Sequence, residues 1–216
     1  MTRINFIYEL EQLNKHFIVL GRLLEQSFDM TVKAADLLDK DVAREVIEKD
    51  DQFDEMERRI TADCIQLIVK QQPIAKDVRN VVTVMRAGKE IEKMADHCES
   101  ICRYIIMLCE EKVIETPETL QKMIDLTKKM VLDVIENFIT KDMQENKKII
   151  EQDEVIEEYF STLRSELVER MQKHPEEIAQ SVDYLMIARS VNRMAAHAIN
   201  IAKWIKYMVT GELASH

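Results

Sequence analysis

The sequence has 216 residues, 46% of them hydrophobic and 32% charged, and its 40 acids outnumber its 30 bases for a formal net charge of −10. That length suits one large domain or two small ones. The acidic balance argues against nonspecific binding to nucleic acid or to anionic lipid, both of which need a basic field, and is compatible with cations or a basic partner protein.

Only 3 Gly and 3 Pro interrupt the chain, and no long Val/Thr-rich alternation marks a strand, so long helices with short connections are expected. In chain order the predicted helices span 4–37, 41–70, 74–112, 117–140, 143–172 and 176–209. The first, in MTRINFIYELEQ, carries acids where a signal peptide needs an apolar stretch. The third contains the longest apolar run, YIIMLC at 104–109, far short of the roughly 18 residues of a membrane span. A cytoplasmic protein with no direct membrane insertion is expected. The three prolines punctuate this plan: Pro73 and Pro175 each precede a long periodic segment, and Thr116-Pro117-Glu118 reads as a helix start capped by Thr116. The cysteines, Cys64, Cys98, Cys102 and Cys109, form no CxxC and read as reduced core thiols.

The chain repeats itself. VIEKDDQFDEMERRI (46–60) aligns with IIEQDEVIEEYFSTL (149–163) at an offset of 103, and EKMADHCESI (92–101) aligns with NRMAAHAINI (192–201) at an offset of 100. Met94, Ala95, His97 and Ile101 return as Met194, Ala195, His197 and Ile201. The fold class is therefore expected to be all-α: two tandem three-helix bundles, 1–114 and 115–216, forming a single compact unit.

Glu92 and Asp96 are four apart, one turn along a helix, where like charges repel by a few tenths of a kcal/mol. On the helical wheel they lie nearly opposite the apolar centre formed by Met94, Cys98, Ile101, Ile105 and Leu108, so an outward acid pair is expected. Asp50 and Asp54 form a second pair nearer the border of their helix's apolar face. In the repeat they return as Asp153 and Glu157, whereas Glu92 and Asp96 return as Asn192 and Ala196. His97 and His197 read as surface or packing residues, and Tyr104 and Trp204, which also align, as packing or interface residues.

The helix order, QQPIAKDVRNV (71–81), EIEKMADHCESI (90–101) and the closing INIAKWIKYMVTGE (199–212) together resemble the PhoU family, over nearly the whole chain. The resemblance implies two tandem three-helix bundles and an acidic pair four residues apart in each. It implies a cytoplasmic negative regulator of phosphate uptake and of the phosphate starvation response. Such a protein links the ATPase of the phosphate ABC transporter to a sensor histidine kinase, has no nucleic-acid partner, often forms a homodimer, and sits against the inner membrane only through its partners. It also implies a divalent or trivalent metal, including multinuclear iron, on the acidic motifs. Carried over by position, the metal residues are Asp50, Asp54, Glu92 and Asp96 in the first bundle, as a surface cluster of hard oxygen donors. Asp153 and Glu157 form a weaker second site, because Asn192 and Ala196 replace its other acids. No catalytic residue is expected. Two other readings stay open: a structural interaction protein whose acids only solubilise it, and a helical-bundle di-metal oxidoreductase, a class built on inward-facing Glu-x-x-His pairs that this chain lacks.

Overall fold

The computed structural model describes residues 3–71, 73–110 and 114–212. Its helices are α1 (Arg3–Leu37), α2 (Lys40–Glu48), α3 (Asp51–Gln71), α4 (Ala75–Leu108), α5 (Glu118–Thr140), α6 (Met143–Lys173) and α7 (Ile178–Thr210), with a 3₁₀ turn at Pro175–Glu177 before α7. None of the described helices is long and apolar enough to cross a membrane.

The first bundle is α1, α2–α3 and α4; the second is α5, α6 and α7. The two third helices, α4 and α7, pack on each other and make the most extensive helix–helix contact of the fold. Local chemistry fixes several ends. Asp39 Oδ1 accepts from the N–H groups of Asp41 and Val42 at 2.9 and 3.1 Å, starting α2. Asp142 does the same for α6 through Gln144 and Glu145. At the close of α7, Gly211 takes φ +81°, the left-handed conformation that stops a helix. The Arg79 guanidinium lies 3.4 Å from where a Cβ on Gly211 would sit, so it is the positive φ rather than crowding that favours glycine there. At the crossing of α1 and α5, a Cβ on Gly21 would come within 3.0 Å of Ile135 Cγ2, so glycine sets how closely those helices approach.

Three local expectations need correction. The helix expected over 41–70 is broken: Asp50 and Phe53 N–H donate to Ile47 and Asp50 carbonyls, three residues back rather than four. This tight 3₁₀-type step separates α2 from α3 at Lys49 and Asp50, while the equivalent stretch of α6 runs unbroken through Asp153. Thr116 does not cap α5; its hydroxyl pairs with Tyr184 Oη at 3.2 Å, and Pro117 takes the N-cap position. The helix expected to reach 112 ends at Leu108, and 111–112 lie outside the described residues.

Candidate functional site

The break between α2 and α3 puts Asp50 half-buried beside α4, and Asp54 follows one turn on, exposed. From α4 come Glu92 and Asp96, and with them Glu99, which periodicity did not single out. The five carboxylates act on one another. Burial, then the charges of Asp96, Glu99, Asp54 and Glu92, push Asp50 up to about 6. Asp96 is raised by burial and by Asp54 and Glu99, and Glu92 by burial and by Asp96. This is the signature of a site where like charges share a desolvated space.

Glu92 corrects the helical-wheel reading. It is 6% exposed, not outward-facing, so the cluster lies at the surface with one buried member. The wheel measured rotation from the Met94–Cys98–Ile101 stripe, but α4 touches α1, α2, α3 and α7, and a side chain opposite one neighbour is covered by another. Asp54 and Asp96 remain exposed. Two cations answer the site: Arg103 pairs with Glu99, and Lys89 has its Nζ 2.8 Å from Glu92 Oε2. Its hydrogen bond to Glu92 raises the Lys89 pKa against the cost of burial, and Glu57 and Asp54 add to the effect.

The four expected acids are brought together as a charge cluster. Among the described residues, though, three potential ligand atoms close within 4.8 Å of one another only at His174, Glu176 and Glu177. That group lies at the turn before α7, where Glu177 is held by Arg170 at 2.7 Å, so its charge is already answered. The first-bundle carboxylates suit a hard cation by their chemistry. They offer acceptor oxygens, crowding and burial raise Asp50, Glu92 and Asp96, and Lys89 and Arg103 are the two bases paired with the five acids.

The second-bundle counterpart is different. Asp153 and Glu157 are exposed, and Asn192 Nδ2 donates to Glu157 Oε1 at 3.0 Å. The amide supplies a hydrogen where the first bundle has only another oxygen, and Ala196 supplies nothing. Its donor set is poorer in charge, as expected from sequence.

Between the two sites, at the α4–α7 contact, His97 and His197 stack with ring centroids 5.5 Å apart. His197 Nδ1 donates to Glu90 Oε2 at 2.6 Å, and Asn200 Nδ2 donates to the same oxygen at 3.1 Å. Burial would raise the Glu90 pKa, but these hydrogen bonds outweigh it and hold the carboxyl low. The recurring histidines therefore join the two repeats. Sequence reasoning missed Glu90, although its place three before Lys93 and seven before His97 put it on the histidine's stripe. Cys64, Cys98 and Cys102 are buried, and burial pushes their thiols up to about 12, 12 and 11. They are core thiols rather than thiolate ligands.

The family model for the PhoU domain matches twice, at residues 17–105 and 120–205. The chain belongs to the PhoU family. The matched segments fall one in each three-helix bundle, so the repeat read from sequence is a repeat of this domain. Among its relatives, a phosphate-specific transport system accessory protein PhoU homolog of Aquifex aeolicus is 31% identical over 208 residues, covering 96% of this chain and 94% of that one. The homolog of Pseudomonas aeruginosa is 29% identical over 214 residues, covering 98% and 88%. The crystal structure of the phosphate transport system regulatory protein PhoU from Streptococcus pneumoniae superposes with a TM-score of 0.91 at 28% identity, covering 98% of this chain and all of that one. That of PhoU from Pseudomonas aeruginosa also gives 0.91, at 29% identity and 96% coverage of this chain.

Proposed function

We propose that this chain is an accessory protein of a phosphate-specific transport system. It acts in the cytoplasm as a negative regulator of phosphate uptake and of the phosphate starvation response. It is a homodimeric adaptor between the transporter ATPase and a sensor histidine kinase, without turnover of its own. The observation that supports the reading most directly is likeness along the whole chain to proteins named as accessory and regulatory components of phosphate transport.

The first-bundle acids are the metal site of this reading. Asp50, Asp54, Glu92 and Asp96, with Glu99 beside them, would hold a divalent or trivalent cation such as iron, which would supply positive charge and open coordination positions for a partner's oxygens. The chain's own residues do the rest. Lys89 neutralises Glu92 until a stronger cation competes for it, and the Glu90–His197–Asn200 bonds hold α7 against α4, so the acid cluster and its weaker counterpart keep a fixed relation.

Deleting the gene in its host is expected to derepress phosphate-uptake genes in high phosphate, measured by transcript abundance. Normal repression in the deletion strain would sink the regulatory reading. A pull-down with the transporter ATPase that responds neither to phosphate nor to Glu92→Gln would sink the adaptor role of the acid site.

A further inference from the structure

At the 100-residue offset Lys89 and Lys93 return as Arg189 and Arg193, but Glu90, Glu92, Asp96 and Glu99 return as Ser190, Asn192, Ala196 and Ile199. The acids have gone and the bases have stayed. Over its length α7 carries Arg189, Arg193, Lys203 and Lys206 against Asp183, in a chain whose net charge is −10. The second repeat has therefore not only lost donors for a cation; its third helix has become cationic.

The bases share one line. Arg189, Arg193, His197, Trp204 and Tyr207 recur at helical spacing on one stripe of α7, and Arg86, Lys89, Lys93 and His97 on the equivalent stripe of α4. The two stripes meet where His97 stacks on His197. Farther along the seam, Thr83 Oγ1 donates to the Trp204 carbonyl at 3.2 Å, the Arg86 guanidinium lies 5.7 Å from the Trp204 ring, and Tyr207 meets that ring edge-on. On the α4 side Lys89 is answered by Glu92 and Lys93 by Glu90. On the α7 side Arg189 and Arg193 are exposed, and neither makes an ion pair with an acid of the described residues. Both guanidinium charges act on His97, and with burial and His197 they help hold it neutral. Two like charges one turn apart repel, and neither side chain is buried in the core.

We propose that the α4–α7 seam is a docking strip for a carboxylate-rich segment of a partner protein, gripped by Arg189 and Arg193 and by Arg86 beside Trp204. Guanidinium groups bind carboxylates two hydrogen bonds at a time, and Arg, Trp and Tyr are the side chains on which interface energy concentrates. Asp50 at the α2–α3 break, Asp54 of α3 and the exposed Asp96 of α4 lie to one side, and Asp153 and Glu157 of α6 to the other. They repel an acidic segment that leaves the seam, which sets its line, and they repel a nucleic-acid backbone, which is too broad to avoid them. From Arg189 to Trp204 the strip runs about 22 Å at the helical rise, so its bases meet an extended segment rather than converge on one small anion. The strip gives partner chemistry to the adaptor role and rests on that reading only for where the partner is found; the binding itself is measured without it.

The test is fluorescence anisotropy with a labelled decaglutamate peptide and the full chain, in a chelating buffer so that no metal bridges the two. The wild type is expected to bind, with affinity falling as salt is raised. Arg189→Glu/Arg193→Glu is expected to weaken binding by at least about tenfold, and Arg189→Gln/Arg193→Gln by less, with unchanged circular dichroism. Lys15→Glu/Lys33→Glu, which reverses two exposed bases of α1, is expected to change binding by less than about twofold. No binding by the wild type would overturn the proposal. So would an equal loss in the control pair, or binding to phosphatidylglycerol vesicles without binding to the peptide. Each outcome is independent of phosphate-dependent gene expression, so failure here leaves the regulatory reading to its own test.

Discussion

The first-repeat acid site and its second-repeat counterpart occupy equivalent places on one fold, yet one stores repulsion and the other has relieved it. In the first, Asp50, Glu92 and Asp96 all titrate above the ordinary carboxylate range because they share a partly buried space. In the second, Asn192 donates a hydrogen bond to Glu157. The helix carrying the first pair is broken beside Asp50, and the helix carrying the second is continuous. Met194 and Ala195 still pack as Met94 and Ala95 do, fully buried. The difference teaches that the fold does not require the acid cluster, since one repeat folds the same way without it.

The largest effect should be on bound metal. Asp54→Asn/Glu92→Gln is expected to lower the metal content of untagged protein by more than about tenfold, measured by elemental analysis, while Asp153→Asn/Glu157→Gln leaves it nearly unchanged. Equal losses in both pairs would erase the contrast between the sites.

Next is the fastening between the repeats. Glu90→Ala leaves His197 and Asn200 without their shared acceptor and is expected to cost about 2 kcal/mol in urea unfolding. Its register mate Ser190→Ala, which removes no carboxylate, should cost less. A smaller change tests the relief in the second site directly. Asn192→Glu faces Glu157 with an acid instead of an amide donor, and about 1 kcal/mol of stability should be lost in chelator. Adding Ala196→Asp should then let added metal restore stability, seen as a rise in Tm; no rise would mean that more than these two residues separates the sites.

The smallest effect is in pH. Asp50 has a folded pKa of about 6 against an ordinary 3.8, so between those values the native state binds a proton that the unfolded state does not. This contribution raises stability as pH falls through 6, opposite to a salt-bridged carboxylate. His97 runs the other way. Its folded pKa of about 4 lies below 6.5, so the unfolded chain takes up a proton first and stability falls with acid across that window. On going from pH 7 to pH 5.5, Asp50→Asn should lose more stability than the wild type, and His97→Gln less. The reverse order in denaturant midpoints would break this account.

Much of the fold was legible because the signals that carry it are local and repeated. Pro73, Pro117 and Pro175 marked starts, periodic apolar residues marked faces, and Met94, Ala95, His97 and Ile101 returning a hundred residues later marked the duplication. The acid pairs were legible by the same route, as unfavourable charges that only one repeat keeps. The break at Lys49 and Asp50 was not, because no Pro or Gly causes it; it lies in three-residue hydrogen bonds within an otherwise helical sequence. Nor was Thr116, which has cap chemistry but found Tyr184, 68 residues away.

The sequence by itself determined that this chain is a helical duplication, which helices carry the acids, and that the second repeat had exchanged acid for amide and alanine. Spacing along one helix is a property of that helix and survives without its neighbours. Only the tertiary structure decided that Glu92 is buried, that Glu99 joins the cluster, that Glu90 ties His197 and Asn200 across the repeats, and that the bases of α4 and α7 fall on one seam. Each of these depends on which second helix covers a face or brings a charge near. Long-range packing sets that, and periodicity on a single helix cannot encode it.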